Sequence, residues 1–303
     1  MTSVALAQHG ATVTLNLAVA AAVGASASML WLADGTSPWA ARAHRRLRPF
    51  ALASLVVGLA AYVCVFWLEA ASMAEVPVWR AGAAMMSMAS QTHFGMAFCA
   101  GLLALAIALA ALASSQFRNG AMISLVATAA YFYTRSMVSH AADNGDISLP
   151  VGADWLHLVT ISLWVGEVIV AGLVTMTVPV VDSADRKALG AYASQLSSSA
   201  TAALAAIVLS GSYAAWRNLG ALENLTGSAY GMALLLKLSA VLTAALLGGA
   251  NRFLVMPGLL AAVRGDSPIT HRFAAILKVE ALVLVGVLIL AAVLSSTAPP
   301  TAG

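Results

Sequence analysis

The sequence predicts an all-α polytopic membrane protein, a bundle of about eight transmembrane helices without a soluble domain of any size. Three observations carry that prediction. Hydrophobic residues make up 61% of the 303 residues and charged residues only 9%, where a soluble domain carries about 25%. Apolar runs repeatedly reach the ~20 residues that cross a hydrocarbon core as helix. Alternating ten-residue strands are missing from the sequence, so of the two structures that satisfy every backbone group in lipid, helices and closed barrels, helices remain.

The spans follow in order. The first is expected from Ala11 to Ala33 and the second from Phe50 to Ser72. The third and fourth run from Phe94 to Ala113 and from Asn119 to Ser139. The fifth covers Ala153 to Met176, the sixth Gln195 to Trp216, the seventh Ala229 to Asn251 and the last Phe273 to Ser295. The chain, 1–303, therefore reads as one integral membrane domain, with an N-terminal four-helix half (1–150) and a C-terminal four-helix half (151–303). Pro77 opens a Met-rich segment between the second and third spans, which suggests a short helix lying at the interface.

An even number of spans puts both termini on one side, and basic residues choose the side. Arg42, Arg45, Arg46 and Arg48 fall between the first two spans, and Arg118, Arg186, Lys187, Arg252, Arg264 and Arg272 mark the later connections of the same face. The opposite connections hold Arg80, Arg135 and Arg217 beside Glu75, Asp143, Asp146, Asp154 and Glu223. Both termini are thus expected outside the cytoplasm. The net charge of +3 reflects this topology and not nucleic-acid binding. Ala5-Leu6-Ala7 looks like a cleavage site, but no basic or apolar stretch precedes it, so a removable signal peptide is not expected. Phosphate loops, zinc-type Cys/His spacings and catalytic triads are absent from the connections, so an enzyme and an ATP-driven pump are not expected.

One stretch resembles a known family. Asp154-Trp155-Leu156-His157-Leu158, running on to Trp164-Val165-Gly166, is followed in order by Gly211-Ser212-Tyr213 with Trp216, Leu225-Thr226, Tyr230-Gly231, Leu235-Leu236-Lys237 and Asn251-Arg252. Glu280 and the segment from Ser295 to Pro300 close the series. This ordered set resembles the bacterial copper resistance protein D (CopD) family over Asp154 to Pro300. The first half is similar through Thr92 to Gly95 and Ser139-His140-Ala141. Glu167 stands where the family usually has a small residue, and His93 sits inside its Thr-x-Phe-Gly pattern. The resemblance implies copper handling at the inner membrane, in partnership with a small periplasmic carrier of the CopC type.

Copper(I) prefers thioether and thiolate donors, and imidazole suits both oxidation states. His93, His140 and His157 fall at the same expected membrane edge, together with Met85, Met88 and Met137. These six are the candidate ligands of an outer site, although a Met in an apolar protein most often serves packing. His9 lies on an expected mobile tail. At ~100° per residue Asp154, His157, Thr160, Trp164 and Glu167 line one stripe of the fifth span. An ionisable residue deep in a span is expensive unless it faces a polar interior, so Asp154, Trp164 and Glu167, with Lys237 and Glu280 on the last two spans, are candidates for a transport path. Lys278 is a candidate partner for Glu167. Cys64 and Cys99 read as small packing residues. Two functions fit this pattern: inward copper transport through a periplasmic His/Met site, or electron transfer through a b-type haem held by paired His93, His140 or His157.

Overall fold

A computed structural model describes residues 3–32, 37–114, 118–221, 223–261, 268–295 and 297. The described residues are almost wholly helical and include no strand. Helix α1 spans Ser3–Leu32, α2 Pro38–Met73, α3 Gly82–Gln91, α4 His93–Ser114, α5 Arg118–Ser136 and α6 Leu149–Leu173. Helix α7 spans Ser183–Leu219, α8 Asn224–Gly227, α9 Ala229–Ala250, α10 Met256–Ala261 and α11 Pro268–Ser295, with a π-helical turn at Asn251–Val255 joining α9 to α10. The expected Arg264, the end of the first span at Ala33 and most of the Ser295 to Pro300 segment lie outside the described residues.

Among the described residues seven helices are long and apolar enough to cross a membrane: α1, α2, α4, α6, α7, the α9–α10 unit and α11. The expected fourth span, α5, is helical at the expected place but does not reach that apolarity. The reason is that its 19 residues begin with Arg118 and Asn119 and carry Arg135, and that its inward face buries Ser124, Thr128, Tyr131, Thr134 and Ser136. It nevertheless traverses the same depth as α4. At one end of that pair His93 meets Asp146 and Tyr133 donates to the Asp146 carbonyl. At the other end Arg48 donates to the carbonyls of Leu112 and Ala113. Thr12 in the first part of α1 and Ser295 at the end of α11 line one cavity, so these two helix ends share a face, called here the terminal face.

Two helices are longer than their expected spans. Ser37 accepts from the Ala40 N–H and Pro38 occupies the first turn, so α2 starts before the arginine cluster and carries Arg42 to Arg48 on helix. Asp182 likewise accepts from the Asp185 N–H and starts α7 before Arg186 and Lys187. With 36 and 37 residues they reach about 55 Å, well beyond a ~30 Å hydrocarbon core. Their overhanging ends are tied together by Asp185, which is fully buried. Its Oδ1 accepts from the Trp39 N–H at 2.7 Å, and its Oδ2 accepts from Arg42 at 2.8 Å and the Val181 N–H at 3.1 Å. The Trp39 indole adds a bond to the Val178 carbonyl.

Helices α1 and α6 form the axis of the bundle: 72% of the apolar window of each is buried, against 17% for α7 and for the α9–α10 unit. They cross at Gly24 and Gly166, where the two backbones touch and a β-carbon on either glycine would overlap the other helix's main chain. Small residues permit this approach. His9 is not on a loose tail: it lies within α1, its Nδ1 2.6 Å from the Ala5 carbonyl. Cys64 and Cys99 are free and exposed on the bundle surface, so they are not core packing residues. The expected interfacial segment is a 3-10 turn, Val78–Arg80, followed by α3, and it leaves Trp79 and Met86 exposed.

Candidate functional site

The terminal face opens into a cavity of about 590 Å³ between α1, α2, α4, α5, α6, α7 and α11. Its charged and imidazole groups are Arg135, His140, Asp143, Asp154 and Arg217. Aromatic side chains of Tyr62, Phe66, Phe94 and Phe98 close one wall, with Phe66 and Phe98 stacked at 3.7 Å. Local devices place His140, Asp154 and Arg135. Ser139 caps the short turn His140–Asn144 by accepting from the Ala141 N–H, which sets His140 at the rim. The same hydroxyl lies 3.2 Å from Asp154 Oδ2, linking the turn to the first turns of α6. Arg135 reaches across the cavity from α5 to donate to Asn16 on α1.

The histidines expected to converge are separated. His140 lines the cavity and is exposed. His93 is engaged at 2.8 Å with Asp146 outside it. His157 lies deeper on α6, its Nδ1 3.1 Å from Ser210 Oγ on α7. That hydroxyl is also 2.7 Å from the Ala206 carbonyl, so with its proton spent there the imidazole Nδ1–H is the donor. Gly211 next to Ser210 leaves room for the ring. Among the described residues no three His, Cys, Asp or Glu side chains gather in a way that could hold a metal ion.

The methionines do not line the cavity. Met88 is buried in the core, Met85 packs against it, and Met137 is half-buried at the end of α5. A bis-histidine haem does not fit this wall either: haem needs two axial donors on facing helices, and of the three histidines only His140 borders the space.

Below the cavity the polar stripe of α6 continues. Lys237 on α9 is half-buried at this level, in the neighbourhood of Asp154 and His157. Deeper still, Trp164 donates through Nε1 to Glu280 Oε1 at 3.2 Å, and Glu280 packs against Gly248 of α9. Glu167 is fully buried, with no close hydrogen bond to either carboxylate oxygen and with the Ser199 hydroxyl facing it from α7. The expected Glu167–Lys278 pair does not form: Lys278 is exposed and rests its stem on Gly172. A second cavity of about 240 Å³ lies between α7 and α9, where Glu280 and Trp164 meet Asn251 and Arg252.

Sequence reasoning missed Arg135, read as a charge in a connection. Its signal was the preceding Tyr131 and Thr134, which put it on a helical face already rich in hydrogen-bonding groups. Two of the family-like patterns have packing explanations. Thr92 caps α4 through the Gly95 N–H, and Gly95 admits the Met88 backbone. Ser228 caps α9 through the Gly231 N–H, and Gly231 admits the carbonyls of Asn224 and Leu225.

An all-α, multi-pass bundle with a mixed-charge cavity at one face and ionisable residues at depth is the build of a membrane protein that handles a polar solute or ion. Family models place it further. Residues 1–149 match the copper resistance protein D-like N-terminal domain and residues 190–294 match copper resistance protein D. The two matches together take in most of the chain, and it belongs to the copper resistance protein D family. Comparison with curated proteins and with solved structures finds no match.

Proposed function

We propose that this protein is a copper permease of the bacterial inner membrane, not an enzyme, that admits copper from the periplasm and passes it inward. The terminal face is then periplasmic, which agrees with the arginine-rich opposite ends of α2 and α7. The observation that carries the reading is the cavity itself, whose lining includes His140, Asp143 and Asp154 above the α6 stripe. Imidazole and carboxylate donors without thioether suit copper(II) at entry. The donors are not drawn around one point, and a loose site suits passage: an ion must bind well enough to enter and weakly enough to leave. Behind it, His157, Lys237, Trp164, Glu167 and Glu280 line the way inward. A periplasmic carrier of the CopC type would deliver to this face.

Copper titration of the purified protein tests the reading. His140→Ala and Asp154→Asn should each weaken copper(II) binding about tenfold or more, a change of ~1.4 kcal/mol. Parental affinity in both variants would remove the cavity from the path. Loss of binding only on replacing Met85, Met88 and Met137 would move the site to the methionines.

A further inference from the structure

Helices α7 and α9 make little contact with each other, and the cavity of about 240 Å³ between them lies where the bundle meets lipid. Only 17% of the apolar window is buried in α7 and in the α9–α10 unit. At the mouth of the cavity Thr201 is exposed and Phe253 is 72% exposed. Hydrocarbon makes most of the wall: Leu196, Ala200 and Leu204 from α7, Ala245 from α9, and Phe273 and Leu277 from α11. Trp164 and Glu280 close its inner end, bonded to each other.

The outer end of this cavity is polar. Helix α9 starts beside the terminal-face cavity, where Asn218 donates to the Tyr230 hydroxyl, and its 22 residues rise about 33 Å. Arg252 therefore stands at the opposite, arginine-rich edge of the hydrocarbon core, and a guanidinium keeps its charge there. Its Nη1 donates to the Ser197 carbonyl and hydroxyl and to Thr201, which anchors the fork at one corner. Among the described residues its Nε and Nη2 have no hydrogen-bond partner and no carboxylate pairs with it. Asn251 lines the same cavity, is 3% exposed, and leaves its Oδ1 without a hydrogen-bond partner. On the same face Arg186 and Lys187 line a neighbouring cavity between α7 and α10.

We propose that the cavity between α7 and α9 holds one acyl chain of an acidic phospholipid, whose phosphate sits on the free edge of Arg252. A planar guanidinium fork matches phosphate oxygens two at a time. Basic pockets between membrane-spanning helices are the places where acidic headgroups lodge. A free phosphate would leave the apolar slot unfilled, and a hydrocarbon alone would leave the guanidinium without its anion. The orphaned Asn251 Oδ1 is an acceptor for a headgroup hydroxyl, and Arg186 and Lys187 favour net negative charge over a zwitterion. The bound chain would bridge two outer helices that scarcely touch. The proposal goes beyond the copper reading and does not rest on it.

Native mass spectrometry of the full-length protein, released from detergent without copper, tests the site. The parent should retain one phosphatidylglycerol and hold it about fivefold more tightly than phosphatidylethanolamine of the same chains. Arg252→Gln should weaken phosphatidylglycerol binding about tenfold. Gly249→Leu should weaken it too by filling the cavity, and nothing lies within 4 Å of the β-carbon it adds. Monodisperse elution shows which variant is folded, and if Arg252→Gln is not, Gly249→Leu decides alone. Parental binding in either folded variant would overturn the proposal, and so would equal retention of the two lipids. Phosphatidylglycerol should raise the melting temperature of the parent and inorganic phosphate should not. Equal stabilisation by inorganic phosphate would make this an anion site without a chain and overturn the lipid.

Discussion

Trp164 and Glu280 join α6 to α11 by an indole-to-carboxyl hydrogen bond of 3.2 Å in the interior of the bundle. Both residues are almost completely buried, at the edge of the cavity between α7 and α9. Trp164→Phe keeps most of the ring and removes the donor. An acceptor left unsatisfied in the interior costs about 1–3 kcal/mol, so detergent melting should drop. Glu280→Gln keeps an acceptor oxygen for the indole and should melt closer to the parent. A Trp164→Phe protein as stable as the parent would show that the bond contributes nothing net.

The crossing of α1 and α6 makes a steric prediction. A β-carbon on Gly166 would overlap the Ala20 carbonyl, and neither atom is the end of a flexible side chain. Overpacking of this kind costs about 1–3 kcal/mol for one methyl and more for larger groups. Gly166→Ala should lower the melting temperature, and Gly166→Leu should fail to yield folded protein. Gly10→Ala is the control, because nothing lies within 4 Å of its added methyl. Equal melting of all three would refute the close approach.

At the other face Asp185 carries three donors to one carboxylate. Hydrogen bonds to a charged group contribute about 1.5–3 kcal/mol each at best, and Arg42 is 32% exposed, so water screens part of its share. Asp185→Ala should therefore destabilise more than Arg42→Ala, since the alanine also strands the buried Trp39 N–H. Thermal melting in detergent of the two variants gives the order directly, and the reverse order would mean the ion pair dominates.

Orientation is accessible by thiol labelling in a Cys64→Ser, Cys99→Ser background. Ile147 is 94% exposed on the terminal face, and Arg45 is exposed on the opposite one. In intact spheroplasts Ile147→Cys should react with a membrane-impermeant reagent and Arg45→Cys should not. The opposite pattern would invert the molecule and put the cavity in the cytoplasm.

Much of this architecture was legible from apolar runs, because burial in lipid leaves the backbone little choice. Every expected span corresponds to a helix, and the two long overhangs were missed for one reason: arginines were taken to mark a connection. The capping residues Ser37 and Asp182 stood in the sequence and mark the true starts. The site was less legible. Helical rise gives depth, so His93, His140 and His157 could be set near one level, but rise gives no bearing around the bundle. Azimuth depends on which helices neighbour each other, and that sends His93 to Asp146 and His157 to Ser210. The same limit produced the expected Glu167–Lys278 pair: similar depth, opposite directions. The burial of Glu167 followed from the stripe of α6; the lack of a close hydrogen bond to its carboxylate needed α7 and α11 in place.

The Gly24–Gly166 crossing bears on how such a molecule changes shape. Because the main chains of α1 and α6 rest directly on each other, no side chain stands between them to swing, compress or give way. The seam acts as a rigid strut through the middle of the protein, uniting the segment matched at 1–149 with a helix that neither family model covers. Any gate must then be built from the looser outer helices turning about that strut. Glu167, next in chain to Gly166, sits on the strut itself, and Glu280 on the neighbouring α11 is tied to it through the Trp164 indole.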